Sequence, residues 1–142
     1  MKPAIVRFYF DADILGLGKL IAGLRSDCTY PGDPGADVHK RERPPCLVAS
    51  TDVPDQDWIP RVADAGYLIV TRDRLISRRV AERQAVVQHG ARMVVLSARD
   101  ARTVRGRLEV FMGQWRRIES LLDRPGPFIV RATRTTLRDL DA

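Results

Sequence analysis

At 142 residues, 44% hydrophobic and carrying a net charge of +6, the chain is long enough for one domain with a sizeable core. No apolar run approaches the ~18 residues that span a bilayer, and the N-terminus lacks the charged, apolar and small-residue order of a signal peptide, so a cytoplasmic protein with no membrane partner is expected. Cys28 and Cys46 stand alone, without CxxC or Cys/His spacing, which argues against zinc and for free thiols.

The charge is segregated along the chain. Residues 1–70 carry 8 Lys/Arg against 10 Asp/Glu, a net of −2, whereas residues 71–142 carry 16 against 8, a net of +8. A negative pocket rimmed by arginine suits a polyanion held by its phosphates while metal ions occupy the acidic centre. The bland alternative is an arginine-rich face that is merely solvated.

In chain order, Ile5 to Phe10 reads as a buried strand that stops at two carboxylates, Asp11 and Asp13. A helix follows over roughly Ile14 to Arg25, with Ile14, Leu17, Leu20/Ile21 and Leu24 as its apolar stripe and Leu15 off it. Gly16, Gly18 and Gly23 weaken that helix by up to ~1 kcal/mol each and suggest close packing or bending. Their spacing fits no phosphate-binding loop. From Ser26 to Pro45 the composition turns to Pro, Gly and charge and reads as loop, with nothing to build a core. Cys46–Ser50 is apolar enough for a short second strand. Asp52, Asp55 and Asp57 then cluster at a helix start, where one acid is ordinarily a cap or a dipole partner.

Tyr67–Thr71 is another short buried strand, ending in Arg72 and Asp73. Residues 74–89 read as helix, with Leu75, Ile76, Val80, Val86 and Val87 inward and Arg78, Arg79 and Arg83 outward. Met93–Leu96 is a further strand, with Ser97 and Asp100 spaced as a capping box. A long helix follows, placing Val104, Leu108, Phe111, Met112, Trp115, Ile118 and Leu122 on one face. Pro125–Pro127 breaks it, Phe128–Val130 is a last strand, and residues 131–142 form a polar, loosely held tail. The alternation predicts a single α/β domain with a mostly parallel sheet of four to five strands and helices on both faces.

In such a sheet ligands bind at the carboxyl ends of the strands. Asp11, Asp13, Asp55, Asp57 and Asp73 all fall on that edge. Like charges brought together repel unless a cation intervenes, and hard carboxylate oxygens suit magnesium or manganese. Asp11 and Asp13 share a side only if extension persists to residue 13, so Asp13 is either a second ligand or a helix cap. Asp55 and Asp57 lie roughly 200° apart on a helix, so both reach one metal only if the helix starts between them.

Phe8-x-Phe10-Asp11, Pro54-Asp55-x-Asp57-Trp58-Ile59 and Ile69-Val70-Thr71-Arg72-Asp73-Arg74 together resemble the PIN-like ribonucleases, and among them the VapC-type toxins of bacterial toxin–antitoxin pairs. The resemblance runs from the first strand to Phe128. It implies a three-layer PIN-like sandwich, magnesium- or manganese-dependent cleavage of RNA, and an antitoxin that covers the acidic cleft; a homodimer is a further option. By the same resemblance Asp11, Asp55 or Asp57, and Asp73 are catalytic, and the metal ligands come from Asp11, Asp13, Asp57 and Asp73. Many members carry a further acid soon after the third, where this chain has Arg74, Leu75 and Ile76. Arg72, Arg74, Arg78 and Arg79 would hold RNA backbone, with Thr71 positioning a ligand or water. Two other readings compete: a nucleic-acid-binding module of the same fold without catalysis, and a structural protein whose acids are caps.

Overall fold

The computed structural model describes residues 1–72 and 80–140. In chain order the elements are β1 (Lys2–Pro3), β2 (Phe8–Phe10), α1 (Leu15–Leu24), β3 (Cys28–Thr29), β4 (Ala36–Val38), β5 (Arg41–Arg43), α2 (Asp55–Asp64), β6 (Leu68–Thr71), α3 (Val80–Gln88), β7 (Arg92–Leu96), α4 (Val104–Gly113), α5 (Trp115–Ser120), β8 (Phe128–Ala132) and β9 (Leu137–Asp139). Short 3-10 turns cover Ala12–Ile14 and Leu121–Asp123. No helix among the described residues is long and apolar enough to cross a membrane.

Six strands form the main sheet in the order β3-β2-β6-β7-β8-β9, and every pairing is parallel except the antiparallel edge β8/β9. Strand alternation then sorts the core into two. Phe8, Phe10, Leu68, Val70, Val94 and Leu96 pack on one face with α1, α4 and α5. Tyr9, Ile69, Met93 and Val95 face the other way, onto Trp58, Ile59 and Val62 of α2 and Ala85 and Val86 of α3. Aromatic pairs bind both layers, with Phe10 and Phe111 centroids 5.2 Å apart on one side and Tyr9 and Trp58 4.9 Å apart on the other.

Helix α1 lies close against β2, and its glycines show why. A methyl group on Gly18 would stand 2.9 Å from Phe10 Cβ and 3.2 Å from Tyr30 Cβ, whereas one on Gly23 would meet nothing within 4 Å. Gly18→Ala is therefore expected to cost about 1–3 kcal/mol. Gly23→Ala is expected to gain up to about 1 kcal/mol by removing helix-opposing backbone freedom. Urea midpoints of the two variants check both signs.

Several expectations are corrected. The first buried strand is only Phe8–Phe10, and Ile5 is 81% exposed. Residues 26–45 are not core-free loop. They contain β3, the partner of β2, and a hairpin, β4 and β5, that joins β1 in a separate three-stranded sheet. A buried ion pair fixes this segment: Arg43 Nε donates to Asp33 Oδ2 at 2.7 Å, and Arg43 also donates to Ala22 O at the end of α1. Cys46–Ser50 is not a strand, although Val48 is buried and its carbonyl accepts from Gly32 N.

The expected helical stripes are also narrower than drawn. Leu20, Leu24, Val80, Val87, Val104 and Met112 are exposed. Thr103, not Ser97, caps α4, accepting from Gly106 N at 3.0 Å. The long helix breaks at Gln114, whose buried side-chain amide donates to Thr133 O and Thr136 O. That reach holds the turn between β8 and β9, whose strands pair antiparallel, so residues 131–139 are not a loose tail.

Candidate active site

The parallel register brings the carboxyl ends of β2 and β6 side by side, with Phe10 opposite Val70 and Asp11 N donating to Val70 O. Asp11 leaves the strand as the N-cap of the 3-10 turn, its Oδ1 accepting from Ala12 N at 2.6 Å. That turn rotates Asp13 back toward the sheet. Thr71 Oγ1, fully buried at the end of β6, lies 3.1 Å from Asp11 Oδ2 and 3.1 and 3.3 Å from the two oxygens of Asp13. One hydroxyl proton serves one oxygen at a time, so Thr71 acts as a hinge point for both carboxylates. Arg72 N donates to Asp13 Oδ2 at 3.0 Å and fixes it further. The two acids therefore converge without an extended chain to residue 13, and the cap role falls to Asp11.

Asp55 is the first residue of α2, behind the N-cap Pro54, so the helix does not start between Asp55 and Asp57. The pair diverges as helical geometry requires. Asp55 is half-buried, lines the cleft, and accepts from Trp58 Nε1 at 2.9 Å. Asp57 is exposed and does not line the cleft.

Burial and like charge leave their mark on the centre. Asp11 is only 6% exposed, and burial first, then the charge of Asp13, push its carboxyl up to about 7, with Asp55 adding to the rise and the bonds from Ala12 and Thr71 opposing it. Burial, then the charge of Asp11, likewise pushes the Tyr9 phenol far up, so it stays neutral.

These acids open into a cleft of about 740 Å³ lined also by Tyr9, Trp58, Val53, Arg72, Arg99 and Arg102. The charge segregation along the sequence thus becomes an acidic centre beside a basic rim. Arg72 is half-buried; its NH2 donates to Ala98 O at 3.2 Å, while its Nε has no hydrogen-bond partner among the described residues. Arg99 and Arg102 follow β7 and escaped the reading of the sequence. Their place just past a parallel strand's carboxyl end was the available signal. Asp73, Arg74, Arg78 and Arg79 lie outside the described residues.

Over residues 7–98, more than half of the chain, the sequence matches the family described as PIN-like domain. The chain belongs to that family. No curated protein and no solved structure is matched. The matched stretch of this PIN-like domain contains β2, α2, β6 and β7, and with them Asp11, Asp13, Asp55, Thr71 and Arg72. It gives the domain a nuclease-type fold.

Among the described residues no three His, Cys, Asp or Glu side chains stand close enough together to hold a metal ion. The residues present nonetheless fit magnesium or manganese. Such ions are commonly held by one or two carboxylates, with water and substrate phosphate completing the shell, and Asp11 and Asp13 already converge.

Proposed function

We propose that this PIN-like domain is a magnesium- or manganese-dependent endoribonuclease, the toxin half of a toxin–antitoxin pair. The observation that carries the reading is the turning of Asp11 and Asp13 onto one buried hydroxyl, Thr71, inside a cleft that also holds Asp55 and a rim of arginines. Burying Asp11 beside two other acids costs stability in its ionised form, and a cation removes that cost.

When bound, the ion would lower the pKa of a water and neutralise charge on the phosphodiester. The chain's own residues do the positioning. Asp11 and Asp13 would hold the ion, with Thr71 and Arg72 N setting their orientation. Trp58 Nε1 ties one oxygen of Asp55. Arg72 brings positive charge to the phosphate, and Asp73 is a further ligand by family resemblance. An antitoxin covering this cleft would meet charge at its rim, and Leu20 and Leu24 offer exposed apolar surface on α1.

Asp55 and Asp57 separate this reading from one in which acids are interchangeable surface charge. Asp55→Asn is expected to reduce cleavage of single-stranded RNA by about 10- to 100-fold or more, and Asp57→Asn to leave it within about threefold. Equal rates for both variants, measured with labelled RNA in magnesium, would remove Asp55 from the mechanism. A second reading, a non-catalytic nucleic-acid-binding module, draws on the arginines that line the cleft, Arg72, Arg99 and Arg102. It predicts RNA binding with no cleavage in any divalent ion.

A further inference from the structure

We propose that Arg99 and Arg102, on the loop between β7 and α4, form a seat for a backbone phosphate flanking the one that is cut, so that the substrate is a strand gripped beside its scissile bond. The identity of the ligand rests on the nuclease reading; the seat rests on the loop itself.

That loop is pinned along its length. Ala101 is fully buried and its N–H donates to Ser97 O at 2.8 Å. Ala98 O accepts from Arg72 and Ala101 O from Arg107, at 3.2 and 3.1 Å. Gly106 has no side chain because the Asp100 carbonyl lies 2.5 Å from where its Cβ would stand. Thr103 closes the loop as the cap of α4.

With the backbone fixed, the two arginine side chains remain exposed and line the cleft. Asp100, the acid between them, is directed elsewhere, accepting from Arg134 N at 3.0 Å. Neither arginine has a carboxylate partner among the described residues, whereas Arg105, Arg124 and Arg134 each pair with an acid. Arg107 sits close enough to Arg72 that burial first, and then that like charge, lower its pKa. Cations gathered on a rigid loop with no carboxylate paired to them among the described residues suit an anion supplied from outside, and a polynucleotide brings a second phosphate a short distance from the first. Arg99 and Arg102 lie just past the stretch matched by the family, which covers residues 7–98.

The test combines binding and cleavage. A labelled 12-nucleotide single-stranded RNA is titrated by fluorescence anisotropy against Asp11→Asn protein, with and without Arg99→Ala and Arg102→Ala, in magnesium at several salt concentrations. Loss of both arginines is expected to weaken binding about 10-fold and to flatten the salt dependence by about 1.4 in log–log slope. In wild-type background the same pair should raise KM with kcat nearly unchanged. Arg116→Ala with Arg117→Ala, which removes equal charge from exposed positions on α5, is the control for net charge and should change binding less than threefold.

Unchanged affinity and slope in the Arg99/Arg102 variant, or equal losses in both pairs, would overturn the seat even if wild type cleaves RNA. Loss confined to the Arg99/Arg102 pair upholds the seat even if wild type cleaves nothing, and then only the nuclease reading falls. No RNA binding by the Asp11→Asn parent would overturn the seat directly.

Discussion

Asp11→Asn is expected to be more stable than wild type at pH 8 in the absence of divalent ions, while losing more than about 100-fold of any cleavage. The sign follows from the folded carboxyl lying at about 7, well above the ordinary aspartate value of 3.8. The folded state binds this proton more tightly than the unfolded chain does, so the neutral carboxyl stabilises below pH 4. That stability is lost as pH rises from about 4 through about 7, the reverse of an ordinary salt-bridged aspartate. Asparagine keeps an oxygen for Ala12 N and removes the ionisation cost. The gain above pH 7 should be on the order of 4 kcal/mol and should fall away toward pH 4. Saturating magnesium or manganese should narrow the gap by stabilising wild type selectively. Thermal melts at pH 4 and pH 8, with and without the ions, measure all of this. A variant less stable than wild type at pH 8 would show that Asp11 is held by structure and not by a cation.

Arg43→Met is expected to cost about 3–5 kcal/mol, because it leaves the buried Asp33 carboxylate with Thr29 Oγ1 and Gly35 N as its remaining hydrogen-bond donors among the described residues. Asp33 is 3% exposed and Arg43 4%, so solvent cannot substitute. The second-site variant Asp33→Asn on the Arg43→Met background should recover part of the loss, since the unpaired charge is then gone. This pair anchors the segment that carries Pro31 into the cleft wall, so the single variant should also weaken RNA binding. Urea unfolding of the two singles and the double gives the coupling. A loss below about 1 kcal/mol for Arg43→Met would mean that water reaches the pair.

Much of the sheet was legible because its strands are short apolar runs ending in charge. Phe8–Phe10 stops at Asp11, and Leu68–Thr71 stops before Arg72, which marked the edge of the sheet where the acids gather. The segment around Arg43 was illegible for a physical reason: its buried polar staple reads in sequence as solvated charge. The end of the chain misled similarly, since its turn is held by Gln114 and the bonds within Thr133–Thr136, and past it the isolated Leu137 and Leu140 pack on the core. Helical stripes overreached at Leu24 and Val80 because periodicity marks a face, not its limits. The choice between Asp55 and Asp57 needed the start of α2, and Arg99 and Arg102 needed the loop that carries them.

The most direct test is cleavage of a mixed RNA pool by wild type and Asp11→Asn, each with magnesium, with manganese and with chelator. Cleavage by wild type alone, abolished by chelator, is the predicted result. Cleavage that survives either the chelator or the substitution would contradict a metal-dependent centre built on Asp11.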